Sequence, residues 1–72
     1  MLRLVVKSNA LTSMGYDERA RVLELEYKNG TVYRYKEVPR HVWEELKRIE
    51  ARGDSLGAYV NANIRDTYDF LE

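Results

Sequence analysis

From Arg21 to Lys28 the chain reads RVLELEYK, with Leu23, Leu25 and Tyr27 alternating with Val22, Glu24, Glu26 and Lys28. Successive side chains of extended backbone leave opposite faces, so this pattern is the signature of a half-buried strand. Asn29-Gly30 follows at once, and Thr31 to Lys36 resumes a β-branched and aromatic run. Asn-Gly between two such runs predicts a hairpin, because both residues accept the backbone angles of a tight turn.

Loop length then sets the register. With a two-residue loop, Asn29-Gly30, Tyr33 falls opposite Glu26 and Tyr35 opposite Glu24, so the tyrosines share the acidic face. With a three-residue loop, Lys28-Asn29-Gly30 with Gly30 left-handed in a bulge, Tyr33 opposes Leu25 and Tyr35 opposes Leu23. A slip of one residue exchanges the whole face. The longer loop is favoured. It gathers Leu23, Leu25, Tyr27, Tyr33 and Tyr35 on one side and sets Val32, Arg34 and Lys36 beside Glu24 and Glu26, where cross-strand charge pairs form. The shorter loop would turn Arg34 and Lys36 onto the leucines.

Around this hairpin the remaining segments order themselves. Leu2 to Val6 is apolar enough for a short strand or a packed arm, SNALTSMGYD can supply a first ordered strand, and Asp17 to Ala20 reads as the turn. Val38-Pro39 ends the last strand and suits a helix start. In PRHVWEELKRIEARG, Val42, Leu46 and Ile49 recur at helical spacing with Trp43 beside them. Glu44 and Glu45 precede Lys47, Arg48 and Arg52, as the helix dipole favours, and Gly53 suits the C-terminal cap. Asp54 or Ser55 can cap a second short helix striped by Leu56, Tyr59, Val60 and Ile64. RDTYDFLE returns to the sheet or packs on it. The expected fold is α+β: an antiparallel three-stranded meander with a main helix and a second short helix packed on one face. Residues 1–72 form one domain, with Leu23, Leu25, Tyr27, Tyr35, Val42, Leu46 and Ile49 in the core.

Such a core has to be efficient. The chain has 72 residues and no cysteine, so neither a disulfide nor a thiolate metal site staples it. Lys plus Arg is 12 and Asp plus Glu is 12, which removes the excess of cations that non-specific nucleic-acid binders use to release counterions. Any such binding must come from a local patch. MLRLVV is too short for a signal peptide or a spanning helix, and Lys7 interrupts it. The expectation is a cytoplasmic protein with no membrane partner.

Catalytic chemistry finds no support. His41 is the single histidine and reads as a solvated residue in a helix's first turn; alone it builds no metal site. No nucleophile elbow, phosphate loop or HExxH pattern occurs. Glu24 and Glu26 beside Arg34 and Lys36 read as a charge-paired face rather than an acid/base pair. The expectation is therefore no enzyme, no metal and no cofactor. The unusual stretch is SLGAYVNANIR, in which Asn61 and Asn63 interrupt an apolar stripe just before Arg65. Asn61 and Arg65 read either as a local cap and a surface charge or as a polar cluster for phosphate or an acidic partner. Arg34, Lys36, Arg40 and Arg65 can make a local basic strip, and the tyrosines at 16, 27, 33, 35, 59 and 68 offer stacking faces.

SxxLxxxGYD, LELEYxxGxxYRYxxVP and SxGxYVNxxIRxxY, in this order and spacing, resemble the KTSC domain from about Ser8 to Tyr68. Residue by residue, the family's YxY falls on Tyr33 and Tyr35, its VP on Val38-Pro39, and its SxG on Ser55 and Gly57, followed by Tyr59, Asn61, Ile64, Arg65 and Tyr68. The stretch from Leu46 to Ser55 departs from the pattern, being longer by about one helical turn. The family is named for its place at the C-terminus of some lysyl-tRNA synthetases and also occurs as a stand-alone bacterial protein. What the resemblance implies is a small binding module, with RNA suggested by that company. The expected function is non-catalytic binding of tRNA or single-stranded RNA through Arg34, Lys36, Arg65, Asn61 and Tyr33. The alternative is a protein-interaction module docking on a larger enzyme, marked by an exposed Trp43 or Val32 or by an open sheet edge, with the chain a monomer or weak homo-oligomer. In either case Arg34 and Lys36 face outward and the tyrosines between and beside them hold the strand.

Overall fold

A computed structural model describes residues 3–70; Leu2 of the expected first strand and Leu71 and Glu72 of the expected last segment lie outside the described residues. Strands β1 (Arg3–Val5), β2 (Leu11–Asp17), β3 (Val22–Tyr27) and β4 (Val32–Tyr35) form an antiparallel sheet in the order β1-β2-β3-β4. Helices α1 (Arg40–Arg52) and α2 (Leu56–Asn63) follow.

The meander thus has four strands, not the three expected. Leu4 and Val5 give too short a run for any period to show. What docks β1 is its pairing of Arg3 with Gly15, Leu4 with Met14 and Val5 with Ser13, reinforced by Arg3 reaching across β2 to Glu24 on β3. In the central hairpin Leu23 pairs with Tyr35, Glu24 with Arg34, Leu25 with Tyr33 and Glu26 with Val32. This is the register of the three-residue loop. Gly30 N–H donates to Tyr27 O at 3.0 Å and Tyr27 N–H to Thr31 O at 2.9 Å, with Gly30 at φ 90°, a value that glycine alone adopts without strain.

A bulge between Leu11 and Ser13 adjusts β2 to the same two faces. Leu11 pairs with Tyr27 on the apolar side, whereas Ser13 pairs with Glu26 on the acidic side, although two residues apart would otherwise share a face. The apolar face joins Leu11, Met14, Leu23, Leu25 and Tyr35 to Val42, Leu46 and Ile49 of α1 and Leu56, Val60 and Ile64 of α2 and its end. The expected core holds, except that Tyr27 is only half-buried. Pro39 stands just before α1 as its extended N-cap rather than inside the first turn, and Gly53 closes the helix at φ 76°. Ser55 caps α2, its hydroxyl accepting from Ala58 N–H at 3.1 Å. The last segment returns to the sheet through a bridge between Phe70 and Tyr35.

Candidate nucleic-acid interface

The hairpin brings an aromatic cluster to one end of the apolar face. Tyr33 lies inward of Arg34 by register, yet it is 38% exposed, whereas Tyr35 is 1% exposed. The expectation that both tyrosines pack inward therefore holds for Tyr35 and fails for Tyr33, which opposes Leu25 nearer the turn. Tyr33 stacks on Phe70 at 5.0 Å between centroids with 24° between planes, and meets the edge of Tyr27 at 5.3 Å. Tyr35 backs the cluster, its ring 5.2 Å from Phe70. Burial, then the neighbouring Tyr27 hydroxyl, push the Tyr35 phenol well above its ordinary value, and Arg65 nearby opposes this.

These rings, with Asn29 and Arg65, line a recess of about 210 Å³. Arg65 follows α2 on an exposed turn, and its guanidinium donates to Asn61 Oδ1 at 3.2 Å, one helical turn back. Asn61 therefore orients Arg65. Asn29 sits in the hairpin loop, where its Oδ1 accepts from Thr31 N–H at 2.9 Å. Lys36 is exposed beside this region, its backbone N–H donating to Asp69 O at 2.9 Å.

Of the sequence-derived set, the structure brings together Tyr33, Asn61 and Arg65; Lys36 is exposed just past β4 and is not among the residues that line the recess. Arg34 goes elsewhere. It projects from the opposite face of the sheet, where its Nε donates to Glu24 Oε2 at 2.5 Å while Arg3 holds the other carboxylate oxygen. Glu24 is 6% exposed. Burial alone would raise its pKa, but hydrogen bonds from Arg34 and Arg3 outweigh that and hold the carboxyl below its ordinary value. Glu26 completes the row by accepting from Ser13 Oγ at 2.9 Å. Arg34 is thus neutralised by its own sheet. Sequence reasoning missed Phe70 and Asn29. The Asn-Gly turn marked Asn29 for its backbone, and no local period connects Phe70 to the hairpin.

A second concavity, about 530 Å³, is lined by Leu4 of β1, Tyr16 of β2 and Trp43 and Lys47 of α1. Tyr16 stacks near Trp43 at 5.9 Å and donates its hydroxyl to Val38 O at 2.5 Å, and Lys47 Nζ lies 5.6 Å from the Trp43 ring. Its rim charges are matched, Arg40 pairing with Glu18 and Lys47 with Glu44. His41 is exposed on α1, and no group of three or more potential metal ligands occurs among the described residues. No helix among them is long and apolar enough to cross a membrane.

Comparison with known proteins adds kinship to this geometry. The KTSC domain pattern matches residues 7–68. An uncharacterised protein of Stutzerimonas stutzeri is 43% identical over 61 residues, covering 85% of this chain and 80% of its own. A protein of Tsukamurella paurometabola is 33% identical over 60 residues, covering 83% and 90%. The crystal structure of a KTSC domain protein from Yersinia pestis superposes with a TM-score of 0.78 at 25% identity, covering 99% of this chain and 94% of that one.

Proposed function

The chain belongs to the KTSC domain family, and from that premise we propose that it is a non-catalytic module binding single-stranded RNA, in the cytoplasm, through the recess between the hairpin and the end of α2. The observation that carries this reading is the meeting of an exposed aromatic pair, Tyr33 and Phe70, with the oriented guanidinium of Arg65 at one small recess. Aromatic faces stack unpaired bases without regard to sequence, and a guanidinium supplies charge-assisted bonds to the backbone. Double-stranded nucleic acid fits poorly, since a neutral chain has no broad basic face to span a duplex.

The test is a titration of the labelled chain with single-stranded RNA octamers and with tRNA at low salt, followed by amide NMR. Shifts are expected at Tyr33, Arg65, Asn29 and Phe70, and Arg65→Glu should weaken binding while Arg34→Ala leaves it unchanged. With Arg65 as the phosphate contact at the recess, the salt slope should be shallow, roughly −0.7 for one phosphate. Absence of shifts around the recess sinks the reading.

A second reading, docking of an extended segment from a partner protein, draws on the other end of the sheet. Among the described residues β1 pairs only with β2, and it carries Leu4 at 43% and Val5 at 85% exposure beside the Trp43 cleft. Strand addition uses such an edge and fills alternate pockets. Leu4→Lys should abolish capture of a protein partner and leave RNA binding intact; unchanged capture removes this reading.

A further inference from the structure

We infer that the recess selects an unstacked base carrying ring oxo groups, uracil or guanine, over adenine. The inference rests on the RNA reading above and deepens it from aromatic stacking to base choice.

The argument is an inventory of donors and acceptors. Thr31 N–H can only donate, so the Asn29 atom it meets at 2.9 Å is the oxygen; the turn fixes the amide orientation. The Asn29 NH₂, with two donors, is left to point away from the turn, and Asn29 is part of the recess wall. The same logic applies at the opposite wall. A guanidinium has no acceptor, so Arg65 consumes the Asn61 oxygen at 3.2 Å. Among the described residues, that leaves the remaining Arg65 N–H groups without a partner at the recess. The side chains of both fixed polar walls therefore offer donors only. The tyrosine hydroxyls, which donate or accept, are the sole adaptable groups among the lining residues.

Such a lining prefers an acceptor-rich edge. Guanine presents O6 and N7 side by side on its Hoogsteen edge, and uracil presents two exocyclic carbonyl oxygens. Adenine places its N6 amino donor next to each of the acceptors N1 and N7. Against donor-only walls the amino group loses its hydrogen bond to water and gains none in return. Size agrees: at about 210 Å³ the recess lies below the range of about 300 Å³ and upward that holds whole drug-sized ligands, and suits one base ring system with its sugar outside. Tyr33 and Phe70 supply the stacking surface that every base shares, so discrimination falls to the donors.

The experiment is fluorescence anisotropy with labelled octamers of uridine, of adenosine and of abasic ribose phosphate at low salt, on the native chain and on Asn29→Asp. Aspartate keeps the oxygen that Thr31 N–H needs, so the turn survives, but it replaces the Asn29 donors at the recess with an acceptor. The uridine octamer should bind about tenfold more tightly than the adenosine octamer. In Asn29→Asp that ratio should fall to about one, both affinities dropping with the added negative charge. Equal binding of the two oligomers by the native chain, or a ratio that persists in Asn29→Asp, overturns the base choice and leaves the RNA reading standing. Abasic binding as tight as uridine binding overturns it in favour of a phosphate site. If no oligomer binds, both the inference and the RNA reading fall.

Discussion

Glu24→Gln separates the two faces of the sheet most cleanly. The native carboxylate is 6% exposed and accepts from Arg34 Nε at 2.5 Å and from Arg3 on its other oxygen. Glutamine keeps the shape but removes the charge, and it turns one acceptor into an NH₂ that faces a guanidinium. A hydrogen bond to a charged group contributes about 1.5–3 kcal/mol. The Arg3 and Arg34 side chains remain 36% and 55% exposed and can recover water, which discounts the sum of two bonds to about 2 kcal/mol. For a domain of this size that is a fall in Tm of roughly 8–16 °C, read by thermal circular dichroism at pH 7. The pH dependence follows from the depressed pKa of Glu24. A carboxyl held below its unfolded value of about 4.3 contributes stability that is complete above that pH and is lost as pH falls through the folded value. The gap between native and variant should therefore narrow below about pH 4 and close in stronger acid. Equal Tm at pH 7, or a gap constant down to pH 2, refutes the assignment of Arg34 to a structural ion pair.

Other substitutions test the packing. A Cβ at Gly57 would meet Ala10 Cβ at 3.0 Å, and Ala10 is pinned by Ser8 Oγ on its N–H and by Lys28 N–H on its O. Gly57→Ala should therefore destabilise by about 1 kcal/mol, overpacking of about 2 kcal/mol outweighing a gain of about 1 in helix propensity; a stabilised variant in urea melts shows that the loop yields. Leu46→Ala removes a fully buried side chain at the middle of α1 and should cost about 2–5 kcal/mol in the same melts; a loss under 1 kcal/mol shows that α1 is not held by this core. Burial raises the phenols of Tyr16, Tyr35 and Tyr59. Since their unfolded values lie near 10, stability should be complete below that pH and fall above it. Tyrosinate absorbance should then rise together with loss of circular dichroism, and Tyr35→Phe should shift that alkaline transition upward if it still folds at pH 7; full ionisation of all tyrosines with the fold intact contradicts this.

The hairpin was legible because two independent patterns, apolar alternation and charge alternation, agree on a single register, and a slip would spoil both. Helix α1 was legible for a similar reason: Val42, Leu46 and Ile49 share a face, and all three are buried. The recess was not, because Phe70 reaches Tyr33 from the far end of the chain and no local period encodes that meeting. Its exposure was hidden too. Register gives the face of Tyr33, while burial depends on how far the helices extend over that face.

Arg34 shows why outward direction is a poor guide to availability. The alternation places it on the outer face correctly, where an outward cation reads as a contact residue. Its real fate depended on β1, whose three residues carry no readable pattern but deliver Arg3 to the same carboxylate. Once Glu24 holds both guanidiniums and Glu26 takes Ser13, that face has matched its charges internally. At the recess the opposite happens. Asn29 in the recess wall and Asn61 behind Arg65 spend their oxygens on the chain itself, so among the described residues what Asn29 and Arg65 present there is donors without partners. A net charge of zero is therefore compatible with the proposed site for acceptor-rich ligands, because the groups available there depend on local pairing in the fold rather than on the overall charge balance.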